Sequence, residues 1–290
     1  MPDSRKVILM TGATGLLGNR VAAIAPDNCR LISIGRNPAV GFPAHVEPLC
    51  ADLADPELGR QLPSRIDSVI HLAQSRRFRE FPNGAADVFA VNTRSTALLL
   101  DHAVKSGCKE FIYASTGGVY KPGAILTESS PLLDFDEMQI YPASKLAAEA
   151  MLGSYARAFR VVTMRIFFMY GEGQHESMLI PRLVGSIRKG SPISLTGPDG
   201  FRFNPLYVGD AASLVWAVID SKFSGVLNVA GPVEITLGEV CRRLGAMVGI
   251  DPMFEIMEGK PIDFRVNLEL LERNFGQMAT SFEVGARAIV

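Results

Sequence analysis

The chain has 290 residues, enough for one large α/β domain or two smaller lobes with a substantial core and no need of disulfide or metal staples. Its 29 Lys plus Arg residues nearly cancel 30 Asp plus Glu, and a net charge of −1 offers no field for a nucleic-acid backbone or an anionic membrane, so a small-molecule substrate is the expected partner. Cys29, Cys50, Cys108 and Cys241 lack CxxC spacing and a nearby histidine, so they read as reduced core thiols, with neither a metal site nor a disulfide framework.

Short β-rich runs at 7–10, 31–34, 46–50, 68–72, 111–114 and 161–166 alternate with helical-period segments at 16–25, 85–105 and 142–157. That alternation predicts an α/β fold, a Rossmann-type doubly wound parallel sheet with helices on both faces. After about residue 170 the texture changes to helical runs at 179–189, 211–220 and 237–248, with short strands near 193–195 and 226–229. The expected organisation is an NAD(P)-binding Rossmann domain over 1–170, to which 205–230 return, and a smaller C-terminal substrate-binding lobe, mainly 171–290. Open α/β sheets bind ligands at the carboxyl edge of their strands, where such a lobe would close. No apolar stretch approaches membrane length, and the chain opens directly into a strand, so a cytoplasmic protein is expected.

The turn Thr11-Gly12-Ala13-Thr14-Gly15-Leu16-Leu17-Gly18 follows the first strand and opens an apolar helix. Glycine at 12, 15 and 18 permits a tight turn, close approach of a pyrophosphate to backbone N–H groups, and close packing of helix on sheet. Thr14 and Leu16 lie in the same cradle. About 20 residues on, an acid would accept a ribose 2′-hydroxyl of NAD(H), whereas an arginine accommodates the 2′-phosphate of NADP(H). The second strand ends Gly35-Arg36-Asn37, so NADP(H) is favoured and NAD(H) remains possible. Asp52 and Leu53 follow the third strand, where they suit an adenine, although Asp52 also suits a helix cap. His71-Leu72-Ala73 ends the fourth strand, with Leu72 and Ala73 beside the pyrophosphate and His71 read as structural.

Tyr141-Pro142-Ala143-Ser144-Lys145 sets Tyr141 and Lys145 one helical turn apart, and Thr116 ends the strand that precedes them. A free phenol has a pKa of about 10, so Tyr141 needs help to exchange protons at neutral pH, and an ammonium one turn away favours the phenolate. Thr116 brings a third polar group to the same edge of the sheet. Pro142 is tolerated in a first helical turn. Glu149 reads as an i,i+4 partner of Lys145.

Together, the glycine turn, Ala51-Asp52-Leu53, His71-Leu72-Ala73, Asn92, Ser115-Thr116, the Tyr141 to Lys145 segment and Arg165 before Tyr170-Gly171 resemble the extended short-chain dehydrogenases/reductases, in particular the NAD-dependent epimerase/dehydratase family. The resemblance runs from about residue 5 to 275 and is strongest over the first 175. It implies a catalytic set of Thr116, Tyr141, Lys145 and Asn92, with Tyr141 and Lys145 also touching the cofactor. It further implies a sugar-nucleotide 4-epimerase or 4-keto reductase, and a homodimer formed through the helices at 85–105 and 142–157.

The chain also departs from that pattern. Gly117-Gly118 stand where dehydratases of the family carry Asp-Glu, which argues against water elimination. Phe168 stands where an Asn is common, Arg202 lies one place from the usual arginine, and Glu258-Gly259-Lys260-Pro261 replaces a late arginine motif, with Arg265 nearby. These altered diphosphate anchors leave a non-sugar carbonyl or a free sugar acid as the alternative substrate. Arg76 and Arg77, in the basic loop after the fourth strand, are further candidate substrate contacts.

Overall fold

The computed structural model describes residues 5–37 and 41–290, and its centre is one seven-stranded sheet. In chain order the first elements are β1 (Lys6–Thr11), α1 (Leu16–Ala23), β2 (Cys29–Gly35), β3 (Val46–Cys50), β4 (Ser68–His71), α2 (Ala85–Val88), α3 (Ser95–Lys105), β5 (Glu110–Thr116), α4 (Ile140–Tyr155) and β6 (Arg160–Ile166). The sheet runs Gly225–Val229, β6, β5, β4, β1, β2, β3. The four pairings from β3 across to β5 are parallel. Chain order reverses between β1 and β4, the crevice where doubly wound sheets take ligands.

Strands covered on both faces need apolar side chains on both, and β1 and β5 carry such continuous buried runs. β3 lies at the sheet's edge and alternates instead. Cys50 sits on an outward position of that edge strand, so it is exposed, and the expectation of four core thiols fails there. Cys29, Cys108 and Cys241 are buried, and all four are free.

The segment at 85–105, expected as one helix, is α2 and α3 joined by a π-helical stretch, Phe89–Arg94, that contains Asn92. Such widened turns displace a side chain from its usual place on the helix face and recur at functional sites. α4 begins at Ile140, so Pro142 falls in its first turn, where its missing N–H costs no helical bond.

The chain divides into two compact units, residues 1–119, 132–165 and 212–227, and residues 120–131, 166–211 and 228–290. The core of the first joins β1, β2, β4 and β5 to Leu99, Leu100, Ala148 and Leu152 of α3 and α4. In the second, the helix Leu179–Arg188 buries Ile180, Leu183, Val184 and Ile187 with Leu237, Val240, Cys241 and Leu244 of the helix Leu237–Val248. Thr236 caps that latter helix by accepting the Glu239 N–H at 3.1 Å, and Gly249, at φ 73°, ends it. Among the described residues no helix is long and apolar enough to cross a membrane.

Candidate active site

The glycine turn leaves β1 at the reversal point. Gly12 has φ +80°, and a Cβ there would lie 2.8 Å from the Ala73 nitrogen, so the chain can pass Leu72 and Ala73 only without a side chain. A Cβ on Gly18 would lie 2.1 Å from the Gly12 carbonyl oxygen, which fixes how closely α1 sits on the turn. Thr14 and Gly15 are exposed, α1 has no side-chain cap and no acid in its first turn, and Leu16 is its first residue. No side chain of the helix takes its leading N–H groups, which fits a dinucleotide pyrophosphate as their partner.

Next along this edge, the Ala51 N–H donates to the Gly35 carbonyl at 3.2 Å and draws the ends of β2 and β3 together. Arg36 and Asp52, both exposed, leave from adjacent strands. One Asp52 carboxylate oxygen accepts the Ala54 N–H at 2.9 Å in a local turn, and Leu53 packs on the core. His71 is fully buried. Its Nδ1 lies 2.6 Å from the Thr11 hydroxyl and its Nε2 2.9 Å from that of Thr96, which itself donates to the Asn92 carbonyl. Burial, seconded by the charge of Lys145, pulls its pKa down to about 3, so it stays neutral and bridges two hydroxyls.

Tyr141, Lys145 and Thr116 come together in the first unit. Thr116 ends β5, Tyr141 lies in the first turn of α4, and Lys145 is one turn further on. The Tyr141 hydroxyl donates to Gln74 Oε1 at 2.9 Å, and the Thr116 hydroxyl, which accepts the Gly118 N–H at 3.1 Å, lies beside it. Burial pushes the phenol up to about 12, with the neighbouring Thr116 hydroxyl acting in the opposite direction. Lys145 is 1% exposed, donates to the Ala114 carbonyl at 2.9 Å, and has its Nζ 5.0 Å from the centre of the Tyr113 ring. Burial brings its pKa down to about 7, against a smaller upward pull from Glu149.

Glu149 is not the simple partner of Lys145 that its spacing indicates. Its carboxylate takes Arg165 in a two-pronged pair, at 2.6 and 3.1 Å, and accepts the Ser115 hydroxyl. The planar guanidinium from β6 matches both carboxylate oxygens, so this buried pair is satisfied and Glu149 acts on Lys145 only through its field.

Asn92 works as a clamp. Its Oδ1 accepts the Ser75 N–H at 2.8 Å, and its amide donates to Ser144 Oγ at 2.9 Å, which in turn donates to the Tyr141 carbonyl at 2.7 Å. One asparagine thus ties the segment after β4 to the start of α4. Sequence reasoning missed Gln74 and Ser75; Phe78, in the basic loop it did single out, has its ring 5.0 Å from that of Tyr141. Gln74 and Phe78 stand more than 60 positions from Tyr141 with no spacing signal. Ser144, inside the tyrosine-lysine segment, was in view.

The remaining candidates form two groups: Arg76 and Arg77 in the first unit, and Phe168, Arg202 and Arg265 in the second, where the Phe264 N–H donates to the Arg202 carbonyl at 2.8 Å. Arg76 is exposed, and Arg77 pairs with Glu80 at 2.8 Å, as a solvated basic loop would. In the second unit Phe168 adopts the left-handed region, φ 36°, and packs against Phe201, Phe203 and Phe264 with ring centres 4.9 to 5.9 Å away. Arg202 reaches Glu234 at 3.4 Å, and Arg265 has its Nε 3.9 Å from Asp263.

Residues 8–230 match the model of the NAD dependent epimerase/dehydratase family. The chain belongs to that family. Among relatives of this epimerase/dehydratase-family chain, the mouse dTDP-D-glucose 4,6-dehydratase is 24% identical over 259 residues, which cover 82% of this chain and 72% of that one. An Arabidopsis thaliana trifunctional UDP-glucose 4,6-dehydratase/UDP-4-keto-6-deoxy-D-glucose 3,5-epimerase/UDP-4-keto-L-rhamnose-reductase is 24% identical over 89% of this chain, which spans only 42% of that longer protein. In structure, the UDP-glucose 4-epimerase of Thermus thermophilus, solved with NAD, superimposes with a TM-score of 0.81 at 22% identity, covering 98% of this chain and 97% of its own. The UDP-N-acetylglucosamine 4-epimerase of Methanobrevibacter ruminantium gives 0.84 at 20%, with the same coverage.

Proposed function

We propose that this family member is an NAD(P)-dependent oxidoreductase or epimerase that acts at a secondary alcohol or ketone of a sugar, a nucleotide-linked one, through Tyr141, Lys145 and Thr116. The observation that carries the reading is the meeting of the Tyr141 phenol with the Thr116 hydroxyl at the carboxyl edge of β5, one helical turn from a buried Lys145. The glycine cradle opens on the same edge of the sheet. Bound there, a nicotinamide dinucleotide supplies or accepts the hydride at the carbon whose oxygen these groups address.

In the reducing direction Tyr141 gives its proton to the carbonyl oxygen as that oxygen gains charge, and Thr116 holds the oxygen in line. In the oxidising direction Tyr141 takes the hydroxyl proton. Lys145, when protonated, offsets the phenolate charge, and its fall to about 7 leaves both of its forms populated near neutrality. Gly117 and Gly118 offer no carboxyl group to expel water, which supports epimerisation or 4-keto reduction over dehydration. Arg36 supports NADP(H) over the NAD(H) of the family's name. The first unit then serves the dinucleotide and the second the substrate, in a homodimer packed through the segments from 85 to 105 and from 142 to 157.

One observation favours a second reading, reduction of a carbonyl that carries no diphosphate. Half-buried Phe168, in place of a polar anchor, packs on three other phenylalanines beside an Arg202 that reaches Glu234. The deciding experiment is a turnover assay on UDP- and dTDP-sugars and on simple ketones, with Tyr141→Phe as the control. The variant should lose at least about a hundredfold in kcat, in line with the loss of a general acid/base, and keep its dinucleotide affinity. Unchanged turnover would refute the assignment.

A further inference from the structure

Gln74 is exposed, yet its side chain is committed: Oε1 accepts the Tyr141 hydroxyl proton at 2.9 Å. Holding a glutamine in one rotamer costs side-chain entropy, so a surface residue keeps such a bond only where its surroundings prepare it. They do so here. Asn92 binds the backbone N–H of the next residue, Ser75, and through Ser144 the backbone carbonyl of Tyr141, so both ends of the Gln74–Tyr141 contact hang from one asparagine. The Ser75 hydroxyl is anchored on Asp87 and accepts the Arg77 N–H at 3.0 Å. Phe78 covers the phenol ring, with the Arg79 guanidinium 5.1 Å from the centre of the Phe78 ring.

We propose that Gln74 is a positioning residue for the reaction, its side-chain carbonyl holding the Tyr141 phenol as an aimed hydrogen-bond donor until a substrate oxygen takes its place. This rests on Tyr141 being the proton-exchanging group. A hydroxyl such as Thr116 can donate or accept and so suits phenol and phenolate alike, whereas an amide oxygen only accepts. Gln74 and Thr116 address the phenol oxygen, Phe78 lies against its ring, and the Tyr113 hydroxyl of β5 is close enough to feel its charge, while Lys145 and Glu149 follow one and two turns further along the same helix. Among them Gln74 is the one that supplies a pure acceptor to the phenol oxygen. The resting enzyme therefore holds its proton ready to give, which suits ketone reduction; that proton leaves in the product hydroxyl, and the Gln74 bond re-forms once the phenolate has taken up a new proton from water.

The test needs no substrate. The protein is prepared with 3,5-difluorotyrosine, whose more acidic phenol titrates while the fold is intact, and Tyr141→Phe identifies the resonance in fluorine NMR. Gln74→Met, of equal length but without the carbonyl, should move the Tyr141 titration down, and Gln74→Glu should move it up by roughly half to one pH unit. A Gln74→Met titration that stays in place or moves up overturns the proposal whatever the glutamate does, because a charge acts through space without a bond. Turnover of Tyr141→Phe is read separately, so Gln74 can fail in this role while Tyr141 stays essential.

Discussion

Lys145→Met should make the dinucleotide-free protein more stable near neutral pH while removing its activity. The unfolded chain holds the lysine proton up to its ordinary 10.5, and the folded chain only up to about 7, because burial opposes the charge. Between those values the unfolded state binds the extra proton, so stability rises with pH, by about 1.4 kcal/mol per unit for this one group. At and below pH 7 the full difference applies, about 5 kcal/mol of cost that vanishes above 10.5. Methionine fits the same channel, but it leaves the Ala114 carbonyl without a donor, at roughly 1 to 3 kcal/mol, and gives up the contact with the Tyr113 ring, worth about 1. The net gain expected at about pH 6 is roughly 1 to 3 kcal/mol. It should shrink as pH rises above 7 and turn into a loss before about pH 10. Above pH 10 the raised Tyr141 works the other way, since the unfolded phenol ionises first and stability falls, so the comparison belongs below that limit. Urea unfolding of both proteins at about pH 6, 7.5 and 9 measures the gap. A variant that is less stable at pH 6, by an amount that does not change with pH, would refute the reasoning.

Three further outcomes follow from the same geometry. Gly18→Ala puts a methyl 2.1 Å from the Gly12 carbonyl oxygen, so α1 must move; thermal unfolding should show a loss of about 3 kcal/mol or more, and calorimetry at least tenfold weaker dinucleotide binding. Asn92→Ala frees both the Ser75 N–H and the Ser144 hydroxyl; kcat should fall by about a hundredfold from misplacement while dinucleotide affinity changes little, as single-turnover and binding measurements would record. Arg36→Asp should weaken NADPH by at least tenfold more than NADH in a fluorescence titration, and equal losses would remove the 2′-phosphate role.

Much of the first unit could be read directly from the chain, because its signals are local. Strands buried on both faces must be continuously apolar, as residues 7–10 and 111–114 are, and the Gly12, Gly15, Gly18 spacing states in advance where backbone has to approach backbone. Tyr141 and Lys145 share a helix face by arithmetic alone. The thiol expectation failed at Cys50 because composition does not say which strand lies at an edge.

What only the tertiary structure decided involves residues far apart in sequence. Glu149 is four positions from Lys145, but a guanidinium delivered by β6 offers it two charge-assisted bonds, and a partner of that geometry outcompetes a neighbour on the same helix. Gln74 meets Tyr141 across 67 positions, and Asn92 meets Ser144 across 52. The sequence determined the scaffold and the residues proposed to react, since periodicity and turn chemistry act over a few residues. The folded chain decided which polar groups hold them, since buried donors and acceptors must find partners wherever packing brings them.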